Sequence, residues 1–278
     1  MHHLSRRSVM ILAVAAGLAP SAVLARTRRR ADTARVVSFG PHPLQALDLH
    51  ACPDTGPVLL FVHGGGWSRG ERSMVHALPA YAARHGLTLA STSYRLVPEV
   101  GAREAAEDVA AAVARLKQDL PGRPLFLLGH SAGAHLAALV GVDPVYLGAH
   151  GLGPADMAGV ILLDGAGYDA TGDRGRGLAG RVLGRMYEQA FGADAAALSP
   201  TLRIASGREY PPFLIFHIAS RQDSAAQSRG LAEALIRAGG RAEVVVAPGD
   251  SHREINVGFG AARDPEGERA AAFIVAES

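Results

Sequence analysis

Apolar residues recur along this chain in two alternating rhythms. Unbroken runs stand at 57–62 (Pro57-Val58-Leu59-Leu60-Phe61-Val62), 124–128 and 160–163, and 213–218 is apolar but for His217. A strand buried on both faces requires a run of this kind. Segments with helical spacing lie between them. In 102–120, Ala105, Val109, Val113 and Leu116 share one stripe, with Arg103, Glu104, Glu107 and Asp108 outside it. The same pattern predicts strands at 35–39, 46–51, 87–94 and 242–246. It predicts helices over 73–85, 131–140, 182–191, 224–238 and 265–276, the first capped by Gly86. Strands and helices in this alternation predict an α/β fold: a mainly parallel central sheet with helices on both faces. The Gly- and Arg-rich stretch 169–181 reads as a surface insertion, not a linker, so residues 26–278 are expected to form a single domain.

Composition narrows the function classes. Of 278 residues, 48% are hydrophobic and 19% charged, which supplies a core and excludes a mainly disordered chain. No apolar run reaches the roughly 18 residues of a membrane span. The arginines are scattered and matched by acids, which argues against a nucleic-acid partner. A single cysteine, Cys52, excludes an internal disulfide or a thiolate metal cluster. Residues 1–25 carry Arg6 and Arg7, then the apolar run Val9 to Ala19, then Val23-Leu24-Ala25. That order reads as a twin-arginine export signal with its cleavage site. The mature chain is expected in the periplasm or outside the cell, unattached to the membrane, with 26 basic against 26 acidic side chains.

The chemistry centres on Gly129-His130-Ser131-Ala132-Gly133. A G-x-S-x-G pattern is weak alone, but here it follows a strand and opens a helix, the setting of a nucleophile elbow. Ser131 is the expected nucleophile. A second motif, His63-Gly64-Gly65-Gly66-Trp67, follows the strand 57–62. The Gly65 and Gly66 N–H groups, with that of Ala132, are expected to form an oxyanion hole. His63 is expected to buttress the loop. A phosphate-binding reading of the glycines lacks the following Lys-Ser/Thr.

A serine hydroxyl needs a base, and the base needs an orienting acid. His252 lies after the last strand, where a base belongs, whereas His217 sits inside an apolar strand. Three aspartates compete for the acid. Asp223 follows the strand 213–218, Asp164 ends the strand 160–163, and Asp250 precedes His252 by two residues. Chain order and position favour Asp223. Trp67 and Tyr168 are expected to line the substrate pocket. The histidines show no metal-site spacing, and neither a metal nor another cofactor is expected.

With these motifs the chain resembles the α/β-hydrolase esterases that carry an HGGG-type loop. It is similar in particular to the small carboxylesterase and arylformamidase-like branch whose loop reads HGGGW. Ser93-Tyr94-Arg95-Leu96 with Glu107-Asp108, the stretch Leu163 to Tyr168, and His252-Arg253-Glu254-Ile255-Asn256 add to the likeness. It runs from about residue 44 to the C-terminus. The chain reads Tyr94-Arg95-Leu96-Val97-Pro98 where lipase-like relatives have Tyr-Arg-Leu-Ala-Pro, and it has no room for their N-terminal cap. The resemblance implies an α/β-hydrolase fold with Ser131, Asp223 and His252 as the triad. It implies hydrolysis of a small-molecule carboxylic ester through an acyl-enzyme. Arylformamidase action is the alternative, disfavoured by the export signal. A non-catalytic binding protein would more usually have lost a member of the triad.

Overall fold

The strongest apolar runs form the centre of a sheet. In the computed structural model the described residues are 34–50, 53, 55–172, 177–247 and 251–278. The expected export signal, Cys52 and Asp250 lie outside them. The strands are β1 (Arg35–Ser38), β2 (Ala46–Leu49), β3 (Val58–Val62), β4 (Thr88–Thr92), β5 (Leu125–His130), β6 (Gly159–Leu163), β7 (Phe213–Ile218) and β8 (Ala242–Ala247). Their order across the sheet is β1-β2-β4-β3-β5-β6-β7-β8. β1 and β2 pair antiparallel, as does β2 with β4, and the other pairs are parallel. This is the expected architecture.

Alternate residues of each central strand enter opposite layers. Val58, Leu60 and Val62 of β3 face one core, while Leu59 and Phe61 face the other. β5 divides the same way, Leu125 and Leu127 against Phe126 and Leu128. With both faces covered, no position in these strands is free to be polar, which explains the unbroken runs. The helices are α1 (Leu78–His85), α2 (Ala102–Asp119), α3 (Ala132–Val142), α4 (Pro144–Gly148), α5 (Gly177–Phe191), α6 (Pro200–Arg203), α7 (Gln222–Arg237), α8 (Glu254–Val257) and α9 (Pro265–Ala276). α2, α3 and α7 contribute to the first core; α1, α8 and α9 contribute to the second. Every residue of α3 is buried, as its near-continuous Ala, Leu and Val composition requires.

Three helix starts differ from the pattern-based expectation. α5 begins at Gly177, not at 182, inside the stretch expected to be a surface insertion. α1 begins at Leu78, not at 73, because His76 adopts a positive φ of 45° that a helix cannot contain, and Pro79 suits a first turn. α7 begins at Gln222, so Asp223 lies in its first turn.

Another difference concerns Asp108, expected on the outer face of α2. It is 1% exposed. Its carboxylate accepts bonds from the Arg95 backbone N–H (2.8 Å), Arg95 Nε (2.9 Å) and Nη2 (2.8 Å), and Gln45 Nε2 (2.7 Å). Burial of this charge is sustained by four donors, and the pair fastens the segment after β4 to α2. Asp108→Ala would strand the Arg95 guanidinium in a part-buried place. Such a loss costs about 3 kcal/mol, to be read as a lowered urea midpoint with an unchanged m-value.

Candidate active site

Five loops leave the carboxyl ends of neighbouring parallel strands and meet at one place, where open α/β sheets bind ligands. The first to consider is the turn between β5 and α3. Ser131 alone makes it, with φ 54° and ψ −118°. This is a sparsely populated conformation for a side-chain-bearing residue, held by the surrounding structure. The Ser131 N–H donates to the Leu163 carbonyl of β6 (3.0 Å). Gly133 packs so closely that an added Cβ would collide with the Val62 carbonyl oxygen at the end of β3. The elbow is thereby pressed against both neighbouring strands.

The loop after β3 forms the opposite wall. Gly65 has φ 126°, a region L side chains rarely enter, and its Cα faces the Arg69 carbonyl. His63 is 1% exposed, stacks on Tyr94 with ring centroids 4.3 Å apart, and donates from Nδ1 to the Gly64 carbonyl (2.8 Å). Gly64, Gly65 and Gly66 border the same cavity as Ser131. Ala132, first residue of α3, has an N–H that the helix itself cannot satisfy.

The structure brings Ser131 and His252 together, but not Asp223. His252 Nε2 lies 3.0 Å from Ser131 Oγ. Its Nδ1 lies 2.6 Å from Oδ2 of Asp164, the residue that ends β6. With Nδ1–H donating to the carboxylate, Nε2 is the acceptor that faces the serine. Asp164 has no exposed surface. It also accepts from the Ile218 N–H (3.3 Å) and from Arg221 Nη1 (2.7 Å). Burial pushes its pKa up. Hydrogen bonds from His252 and Ser224 and the Arg221 charge outweigh this and hold the carboxylate well below its usual range.

The expectation for Asp223 is therefore corrected. In the loop after β7 the residue turned inward is Arg221, whose Nη1 sits 2.8 Å from His252 Nδ1. Asp223 stands on the far side of that guanidinium, 3.3 Å from Nη2, with 58% of its side chain exposed. It borders a separate surface depression with Asp169, Thr201 and Gln227. The first turn of α7 carries it away from the imidazole. A visible signal favoured Asp164: a carboxylate directly ending an apolar central strand has no solvent of its own and needs a partner.

Trp67 and Tyr168 are also corrected. Both are buried in the core and neither borders the cavity. Trp67 has left the cavity to pack edge-on against Tyr187 and Phe191 of α5, with centroids 5.4 and 4.9 Å away. Its Nε1–H donates to His135 Nδ1 (3.2 Å), and His135 Nε2–H donates to the Leu198 carbonyl (2.7 Å). Tyr168 is folded back against Gly165. The cavity itself holds about 840 Å3, and Met74, Leu183, Met186 and Val257 supply apolar walls.

His130 was not singled out by its sequence position beyond being a motif residue. Its ring lies 4.8 Å from that of His252, and Nε2–H donates to the His252 carbonyl (2.8 Å). Ser251 and Glu254 fix the same loop from the other side. The Ser251 N–H donates to Glu254 Oε2 (3.0 Å), and the Glu254 N–H to Ser251 Oγ (3.2 Å).

A family profile described as alpha/beta hydrolase fold matches residues 59–256. The chain is 30% identical over 211 residues to esterase LipC of Mycobacterium tuberculosis, which covers 69% of this chain and 52% of that protein. It is 26% identical over 245 residues to the protein named probable isoprenylcysteine alpha-carbonyl methylesterase ICMEL1 of Arabidopsis thaliana, covering 80% of this chain and 51% of that one. The chain thus spans about half the length of these curated relatives. Among solved structures, Thermogutta terrifontis esterase 2 phosphonylated by sarin superposes with a TM-score of 0.73. That match has 23% identity and covers 87% of this chain and 94% of that chain.

Three buried histidines give the site a defined response to acid. Burial lowers His63, His130 and His135 from 6.5 to about 4, against smaller raising effects of their backbone hydrogen bonds. The unfolded chain therefore takes up these protons first as pH falls. Stabilisation fully present above pH 6.5 is lost between there and about 4. The slope is up to about 1.4 kcal/mol per pH unit for each histidine. Urea midpoints should fall steadily from pH 7 to pH 5. Substituting His135 by Gln should flatten that fall, and a profile already flat in the parent chain would contradict the assignment.

Proposed function

The chain belongs to the alpha/beta hydrolase fold family, and from that footing we propose that it is a serine hydrolase of small-molecule carboxylic esters. One observation carries the reading: the continuous chain from Ser131 Oγ through His252 to Asp164, with links of 3.0 and 2.6 Å. A binding module has no need for a buried, charged carboxylate aligned behind an imidazole and a strained serine. The esterase names of the relatives agree with it.

In this reading Ser131 Oγ attacks the ester carbonyl carbon while His252 Nε2 takes its proton. The carbonyl oxygen becomes an oxyanion facing the N–H groups of Gly65, Gly66 and Ala132, each worth about 3 kcal/mol to the transition state. Collapse breaks the bond to the alcohol oxygen, which takes the proton back from Nε2. Water then gives a proton to the same nitrogen as its oxygen attacks the acyl carbon. The bond to Ser131 Oγ breaks, with Oγ recovering the proton from Nε2 and the acid released. Asp164 takes the orienting role that position had given to Asp223. It holds Nδ1–H and stabilises the imidazolium formed at each attack. Arg221 keeps Asp164 ionised, and His130 holds the backbone of the base.

The mutant series separates the two aspartates. Ser131→Ala should leave only background hydrolysis of p-nitrophenyl acetate. Asp164→Asn should lose on the order of 10⁴ in kcat, whereas Asp223→Asn should lose less than about tenfold. The reverse order, with both proteins folded by circular dichroism, would return the acid to Asp223.

The export reading is a separate proposal and rests on residues 1–25. Replacing Arg6 and Arg7 by Lys should retain the precursor in the cytoplasm, since a twin-arginine receptor reads the pair and not its charge. Unchanged export of the double variant would point to the general secretory route.

A further inference from the structure

The charged side chains that border the cavity are of one sign. Arg69, Arg221 and Arg253 line it, and no carboxylate is among its described lining residues. Arg221 is accounted for, because it bridges Asp164 and Asp223. Arg69 and Arg253 have no ion pair among the described residues, whereas Arg72 pairs with Asp48 and Arg203 with Asp143. The carboxylate beside Arg253, Glu254, accepts from the Ser251 N–H. Hydrogen bonds from Ser251 and, to a lesser extent, the Arg253 charge lower its pKa, without an ion pair between the two side chains.

Their places in the chain are informative. Arg69 follows the glycine loop, and its carbonyl backs Gly65. Arg253 follows the base directly. Two arginines therefore border the cavity, one from the segment after the glycine loop and one next to His252, and Met186 and Val257 border it with them. Like charges on the rim of one concavity repel one another, and low-dielectric walls focus their field into it. A guanidinium also matches a carboxylate in shape, through paired N–H donors. A neutral ester gains nothing from this arrangement.

Resting on the serine-hydrolase reading above, we infer that the ester taken by this site carries a second, anionic group, bound at the rim by Arg69 and Arg253. The simplest such class is a monoester of a dicarboxylic acid. Its apolar spacer lies along Met186 and Val257 and its free carboxylate reaches the rim.

Monomethyl adipate and dimethyl adipate share a skeleton and differ in that charge, and their hydrolysis can be followed in a pH-stat at pH 8. At low ionic strength, kcat/KM for the monoester should exceed that for the diester by about tenfold or more. The ratio should shrink as salt is added. In the double variant Arg69→Gln/Arg253→Gln it should fall to near one. If that variant does not fold, the ratio and salt dependence of the parent enzyme decide. Where turnover is slow, the same comparison is read as protection of Ser131 from a fluorophosphonate. A parent ratio at or below one, or a ratio unaltered in the folded double variant, overturns the inference alone. Absence of both hydrolysis and Ser131 labelling overturns the hydrolase reading and this inference with it.

Discussion

Asp164 carries its charge with no exposed surface, at the end of an apolar strand. Taken alone, that position would drive the carboxyl to its neutral form. It stays ionised because three chain segments bring donors to it: the Ile218 N–H from β7, Arg221 from the following loop, and His252 from the loop after β8. These bonds tie the ends of β6, β7 and β8 together. They also decide which way the imidazole faces, and so whether Nε2 reaches Ser131 Oγ. Satisfying one buried charge and assembling the site are the same event.

Arg221 shows how tightly that arrangement is drawn. It touches Asp164 and His252 on one side and Asp223 on the other. One guanidinium nitrogen thus lies against both the buried carboxylate and Nδ1, and its charge helps hold Asp164 ionised. The exposed Asp223 meets the same guanidinium from the solvent side.

The fold was legible because most of its central strands are buried on both faces, which leaves near-continuous apolar runs in β3, β5, β6 and β7. The elbow and the glycine loop were legible because close backbone approach demands glycine, and that demand prints itself at fixed spacing. The acid was harder. A loop after β7 offered Asp223 at a plausible chain position, and nothing local shows that Arg221, two residues earlier, is the side chain turned inward. Nor does sequence show that α7 starts soon enough to carry Asp223 outward. Trp67 misled for a related reason: adjacency to the glycine loop places its backbone at the site, while its positive φ and its bond to His135 send the ring into the core. Asp108 looked external because α2 was judged alone, without Arg95 arriving from the segment after β4.

The close seat of Gly133 on the carbonyls that end β3 has a consequence for how this site can change. Backbone rests on backbone there, with no side chain between the nucleophile's turn and the strand that leads into the glycine loop. The spacing between the backbone of the elbow and the end of β3 is thus set by peptide dimensions. The walls, by contrast, are made of side chains such as Leu183, Met186 and Val257. In the proposed reading the elbow is a rigid jig and the walls a replaceable lining, so selection or engineering can recut what the pocket admits without moving the elbow.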